Sequence, residues 1–297
     1  MHRKKHIRQD NIAYFFILPA LILFTAFGLI PAILSFRMSF FKWDFLSPTM
    51  KFVGLDNYKK LFTDEAFYGV LKNTFLFTVI TVALKVGLGV VIANFVATKV
   101  KGKVGSFIME SALFMPIVIP MSVVSLIFNK MFDTEFGILN GILNALNLGP
   151  VGWLTNENIA LYSVMFVDVF KGIGFFFIVA LVAIRNIPRQ YYEAAELDGI
   201  TLSKQFFKIT LPLIGNTLVF LLITAFLSSF QVFDVVYIML NGLFGDSKIT
   251  ISVMLYQQAF FYRNVGYSSA IAVVIFIFVM TVTLLQLYLS KKVVYNE

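Results

Sequence analysis

The chain of 297 residues contains no cysteine. A disulfide framework, a thiolate nucleophile and a cysteine-based metal site are thereby excluded. The two histidines, His2 and His6, both fall in a basic N-terminal tail, so histidine acid–base or metal chemistry within a membrane is excluded as well. Charge is scarce: Asp, Glu, Lys and Arg make up 13% of the chain, about half the ~25% usual in soluble domains. A phosphate-cradling G-x-x-x-x-G-K-[ST] loop is missing too. Gly102-Lys103 is the one Gly-Lys pair, and position 97 is Ala, so the chain binds no ATP by that route.

What is present is apolar. Hydrophobic residues make up 59% of the chain and the mean hydropathy is +0.85, which marks a membrane protein. A hydrocarbon layer of about 30 Å needs ~20 apolar residues in a helix rising 1.5 Å per residue. Six stretches qualify: residues 12–36, 73–97, 106–128, 159–184, 217–240 and 267–290. The first follows Arg3, Lys4, Lys5 and Arg8 like a signal peptide. Its length and the lack of an A-x-A site predict an uncleaved helix instead.

The net charge of +8 is distributed as membrane topology requires, which argues against a nucleic-acid partner. An even number of spans puts both termini on one side. Placed inside, they share that side with the dense cluster Lys99, Lys101 and Lys103 and with Arg185, Arg189, Lys204, Lys208, Lys291 and Lys292. The positive-inside bias therefore predicts cytoplasmic termini. The resulting organisation is a basic tail over 1–11, a first helix over 12–36, an extracytoplasmic loop over 37–72, a five-helix core over 73–290 and a short tail over 291–297. No span repeats another, and no loop is long enough for a separate domain.

Lys85, Glu110, Asp168, Lys171 and Asp234 fall within or beside the apolar spans. Each costs about 2.5–3.5 kcal/mol if central and lipid-facing, so they are expected to face partner helices or an aqueous path. Asp168 and Lys171 share a helical face three residues apart. An internal pair, a lining of the translocation route and an interface with another subunit all account for them. Asp234, with Gln231, Ser228 and Ser229 in the same span, fits polar packing or ligand contact equally. Pro116 and Pro120 invite kinks in the third span. Gly172 and Gly174 allow close helix approach in the fourth.

One polar segment stands out, Ile187-Pro188-Arg189-Gln190-Tyr191-Tyr192-Glu193-Ala194-Ala195-Glu196-Leu197-Asp198-Gly199-Ile200, followed by Ile209-Thr210-Leu211-Pro212. Pro188 suits a first helical position and Gly199 the residue just past the end. A short helix displayed in water by a lipid-embedded chain suggests a soluble partner. A helix lying on the membrane surface would carry Lys and Arg on its polar face, whereas the central residues here are acidic.

This segment resembles the EAA loop of binding-protein-dependent ABC importer permeases. Phe52-Val53-Gly54-Leu55-Asp56-Asn57-Tyr58, Gly137-Ile138-Leu139-Asn140, Trp153-Leu154, Phe230-x-x-Phe233-Asp234 and Gly266-Tyr267-Ser268-Ser269-Ala270 fall in the order seen in the carbohydrate-uptake (maltose-type) subfamily. The resemblance covers nearly the whole chain and is to the first of the two permeases in such systems. It implies an all-α, six-span type I importer permease in the cell membrane, with no catalytic residue, bound metal or cofactor of its own. ATP and magnesium would sit on partner ATPases. The implied partners are a second permease in a heterodimer, two ATPase subunits, an extracytoplasmic sugar-binding protein and membrane lipid.

The resemblance also implies site residues. The cytoplasmic coupling loop, residues 185–216, would meet the ATPase through Tyr192, Glu193, Ala194, Ala195, Leu197, Asp198, Gly199, Phe206, Leu211 and Pro212. The sugar path would run near Asp168, Phe170, Lys171, Gly172, Phe175, Phe230, Gln231 and Asp234. Two features depart from the pattern: Lys171 in the path wall, and Asn241-Gly242-Leu243-Phe244-Gly245-Asp246 in place of a T-G-G-P-like turn. An anionic sugar or an Asp168–Lys171 pair both account for Lys171. A permease for a non-sugar solute is the alternative function.

Overall fold

A computed structural model describes Tyr14 and residues 16–44, 46–100, 102–240 and 247–294, without the side chains of 291–294. The basic tail 1–11 and the Asn241–Asp246 turn lie outside the described residues. In chain order, α1 (Phe16–Met38) leads into a two-residue antiparallel pair, β1 (Phe41–Lys42) and β2 (Lys51–Phe52). Next come α2 (Asp56–Thr63), α3 (Glu65–Lys99), α4 (Lys103–Val118), α5 (Met121–Met131) and α6 (Ile138–Ala145). Then follow α7 (Ala160–Arg185), α8 (Gln190–Leu197), α9 (Gly215–Phe230), α10 (Asp234–Leu240), α11 (Ile251–Tyr256) and α12 (Val265–Val294).

Among the described residues, five helical stretches are long and apolar enough to cross a membrane, or six if the bent pair α4–α5 is one span. In place of the expected continuous third span stand two helices that meet at 97°. Pro116 sits inside the continuous α4, while Pro120 caps α5 and follows an extended Ile119. The break belongs to Pro120, because the residue before a proline is pushed out of helical geometry. The 37–72 loop also differs from expectation. It holds the β pair, α2 and the first turns of α3, which begins at Glu65 rather than Asn73.

The chain divides into two compact units. One comprises Met1–Asp64 and Leu255–Ile277. Here the sequence motifs explain themselves. Asn57 Nδ2 donates to the carbonyls of Ser39 and Phe41, at 2.8 and 3.0 Å, and the Ser39 and Tyr58 hydroxyls lie 2.6 Å apart. The run from Phe52 to Tyr58 therefore staples the β pair to α2. At Gly266 a Cβ would overlap the Phe41 carbonyl oxygen, so only glycine lets α12 start there. Tyr267 donates to Asp64 at 2.6 Å.

The other unit comprises Glu65–Met254 and Phe278–Glu297. Its centre is α3 packed along α7, with α4 and α9 against them. Val86, Val90, Ala93 and Val96 of α3 meet Phe176, Phe177, Ala180 and Leu181 of α7 and Leu221 and Ala225 of α9. The buried hydroxyls of Thr74, Thr78 and Thr81 bond back to the carbonyls of Val70, Thr74 and Phe77, which lets polar residues sit on an apolar seam. At Gly174 a Cβ would overlap the Leu113 carbonyl oxygen, so α4 and α7 approach backbone to backbone. In the 129–158 connection, Asn140 accepts from Val151 N–H and Trp153 Nε1, both at 3.0 Å, and donates to Val151 O at 2.8 Å. That single side chain ties the Gly137–Asn140 and Trp153 motifs together.

Candidate functional site

The α3–α7–α9 seam opens into a cavity of about 470 Å³ where two helices break. Ile117 and Met121 flank the Pro120 bend, and Gln231, Val232 and Phe233 form the gap between α9 and α10. Interrupted helices leave backbone groups free of the helical ladder, which a membrane chain tolerates where it lines a cavity. Asp168, Lys171, Gly172 and Phe175 line it from α7. Their spacing of three, four and seven residues puts them on one face.

The Asp168–Lys171 pair is not formed. Asp168 instead meets Lys85 of α3, Nζ to Oδ2 at 2.6 Å. The side chains are 3% and 13% exposed, so this is a buried ion pair between two helices. The contact is that of two charges, because no donor is aligned on Oδ2. Lys85 also donates to Ser229 Oγ of α9 at 3.3 Å. Gly172 makes room for it: a Cβ there would stand 3.0 Å from Lys85 Cε. The cross-helix arrangement wins over the local one because Lys85, 3% exposed, is the lysine that can least be left without a counter-charge, whereas Lys171 is only half-buried.

Gln231 and Asp234 line the same cavity, joined by Thr224 and Ser228. Two sequence-assigned residues do not reach it. Phe170 is two positions from Asp168 and so on the opposite side of α7, where it rings with Phe128 and Phe166. Phe230 is 1% exposed and stacks on Phe278 at 5.0 Å. Lys85 is the residue whose role sequence reasoning missed. The sequence marks Lys85 as the one charge within its apolar run, which calls for a counter-charge in another helix without saying which.

The second candidate surface is α8. The helix starts at Gln190, two residues after Pro188, so the proline precedes the helix rather than opening it. Its end is a Schellman turn: Gly199 N–H donates to Glu196 O and Ile200 N–H to Ala195 O, with Gly199 at φ +66°. The inward side is anchored. Ala195 is buried, Tyr192 shares a hydrogen bond with Thr210 at 2.9 Å, and the buried Gln205 donates to Ile200 O at 3.0 Å. Contact with a partner therefore cannot come from Ala195, which packs against its own chain. Glu193, Ala194, Glu196, Leu197 and Asp198 are exposed, Leu197 at 91%. Phe206 and Leu211 are half-buried, and Gly199 and Pro212 exposed. Next to this surface, Arg185 donates to Glu110 and to Ser106, both at 2.7 Å, stitching the end of α7 to the start of α4.

Residues 85–295 match the family described as binding-protein-dependent transport system inner membrane component. The probable ABC transporter permease protein YurN of Bacillus subtilis is 35% identical over 96% of this chain and 98% of its own. The arabinooligosaccharides transport system permease protein AraP of the same organism is 32% identical over 93% and 88%. The trehalose/maltose transport system permease protein MalF of Thermococcus litoralis is 28% identical over 97% and 96%. A chain from the crystal structure of a bacterial ABC transporter involved in import of the acidic polysaccharide alginate superposes with a TM-score of 0.87 at 23% identity, over 98% of this chain and 99% of that one. The bent helix pair, the cavity at the breaks and the exposed acidic helix thus sit on the type I importer permease fold, and the chain belongs to the family of inner-membrane components of binding-protein-dependent ABC transporters.

Proposed function

We propose that this chain is one of two permease subunits of an ATP-driven importer of oligosaccharides, with both termini cytoplasmic. A related second permease completes the pathway, two ATPase subunits carry ATP and magnesium, and an extracytoplasmic binding protein delivers the sugar. The observation that carries this reading is α8. Its inner face is bonded to its own chain while Glu193, Leu197 and Asp198 stand bare. A helix so rigidly mounted transmits a push instead of absorbing it. Closing of the motor on ATP moves α8, and the free energy enters as the motor's differential affinity for two states of the bundle.

The cavity suits a sugar. Gln231, Ser228 and Thr224 offer donors and acceptors, and Phe175 and Phe233 offer ring faces for C–H patches. Two relatives that align over more than nine-tenths of this chain, at 32% and 28% identity, are named for saccharide uptake. The test is uptake of labelled oligosaccharide into proteoliposomes holding the two permeases and the ATPase pair, with the binding protein outside and ATP within. Accumulation is expected only when this chain is present. Equal accumulation in its absence would count against the proposal.

A further inference from the structure

Lys171 lines the cavity, and its nearest candidate partner on its own helix face, Asp168, is taken by Lys85 at 2.6 Å. Among the described residues no ion pair satisfies Lys171. The cavity therefore holds one neutralised pair, Lys85 with Asp168, and two charges without an ionic partner, Lys171 and Asp234. We propose that the imported saccharide is anionic and that its carboxylate or sulfate is seated on the Lys171 ammonium. This rests on the reading of the cavity as the sugar path.

The two unpaired charges differ in what satisfies them. An ionised carboxylate only accepts hydrogen bonds, and every sugar ring offers hydroxyl donors, so a neutral saccharide already accounts for Asp234. An ammonium only donates and is a compact, strongly hydrated charge. Hydroxyl oxygens replace part of its water shell. An oxyanion also supplies the ionic contact that Asp234, unpaired in the same cavity, does not make to Lys171, in a bond roughly twice as strong as a neutral one. Lys171 sits one helical turn before Phe175, which also lines the cavity, so a charged substituent on Lys171 lets the adjoining ring rest on that aromatic face.

The experiment compares cells carrying the intact transporter with wild-type, Lys171→Gln or Lys171→Arg permease. Initial uptake is measured for labelled digalacturonate, dimannuronate, 6-sulfated lactose, lactose and maltose. The binding protein is the same in all strains, so the variant-to-wild-type ratio for each probe reports the permease. The expected result is import of at least one anionic probe, reduced about tenfold or more by Gln and largely restored by Arg. The uronide and sulfate arms tell which oxyanion is taken. Complex levels, followed by immunoblot, are expected to stay constant. Import of neutral probes alone overturns the inference and leaves the oligosaccharide function standing, as does a Gln defect equal for anionic and neutral probes or traced to lost assembly. Import of no saccharide by the wild type sinks the proposed function, and this inference with it.

Discussion

Breaking the Lys85–Asp168 pair from either side has a calculable cost. With 2.6 Å between Nζ and Oδ2, two unit charges at an effective dielectric constant of ~20 attract by about 6 kcal/mol. Part of that offsets the desolvation of both groups. Removing one partner strands the other, and the cost for a buried pair is about 3–5 kcal/mol. Asp168→Leu leaves an ammonium that is 3% exposed with only Ser229 Oγ beside it and carries that full cost. Lys85→Met costs less, because it leaves a carboxylate that is 13% exposed with the unpaired Lys171 one turn away on its own helix face. The double variant Lys85→Met/Asp168→Leu removes both charges and replaces them with apolar volume. It is expected to match the wild type or exceed it by about 1–4 kcal/mol. The assay is equilibrium unfolding of the purified chain in mixed micelles at increasing SDS fraction. The predicted signature is two unequal single losses, Asp168→Leu the larger, and a double change that recovers. If the double variant loses the sum of the two single losses, the charges act independently and the pairing is wrong.

Three further changes follow from backbone geometry and exposure. Nothing lies within 4 Å of a Cβ at Gly199, so Gly199→Val is penalised by its φ of +66° and not by crowding. It should cost about 1–2 kcal/mol locally and cut ATP-driven uptake while hydrolysis by the assembled complex continues; Gly199→Asn, which tolerates that φ, should be milder. Gly174→Ala places a methyl group on the Leu113 carbonyl oxygen and is expected to cost about 1–3 kcal/mol, read as an earlier SDS midpoint. Arg185→Gln removes an ion pair whose arginine is 45% exposed, so the midpoint should shift by less than about 1 kcal/mol.

Much of this fold was written in the hydropathy pattern. Apolar runs with Asn186-Ile187-Pro188 or Lys99 at their ends mark α7 and the end of α3 to within a residue or two. The start of α3 was not legible, because Glu65–Lys72 is polar enough to read as loop and is helical through continuity with the apolar run behind it. The site was legible by face and not by partner. Periodicity groups Asp168, Lys171, Gly172 and Phe175, and the same periodicity puts Phe170 on the far side. It carries no information about Lys85, which lies in another helix and is brought to Asp168 only by the close α3–α7 packing. That packing is itself visible only in three dimensions, where a Cβ at Gly89 would meet Phe176 Cβ at 2.9 Å. The motifs at Asn57, Asn140 and Gly266 are legible as motifs, yet their task is to hold loops in place.

The absence of cysteine makes the central claim directly measurable. Leu197→Cys creates a single thiol at the most exposed apolar position of α8. In inside-out vesicles it should react quickly with a membrane-impermeant maleimide when the ATPase subunits have been stripped, and slowly once they are bound again. Intact cells should not label at all. Equal labelling with and without the ATPase, or labelling from outside the cell, would contradict the assignment of this helix as the point where the motor grips the permease.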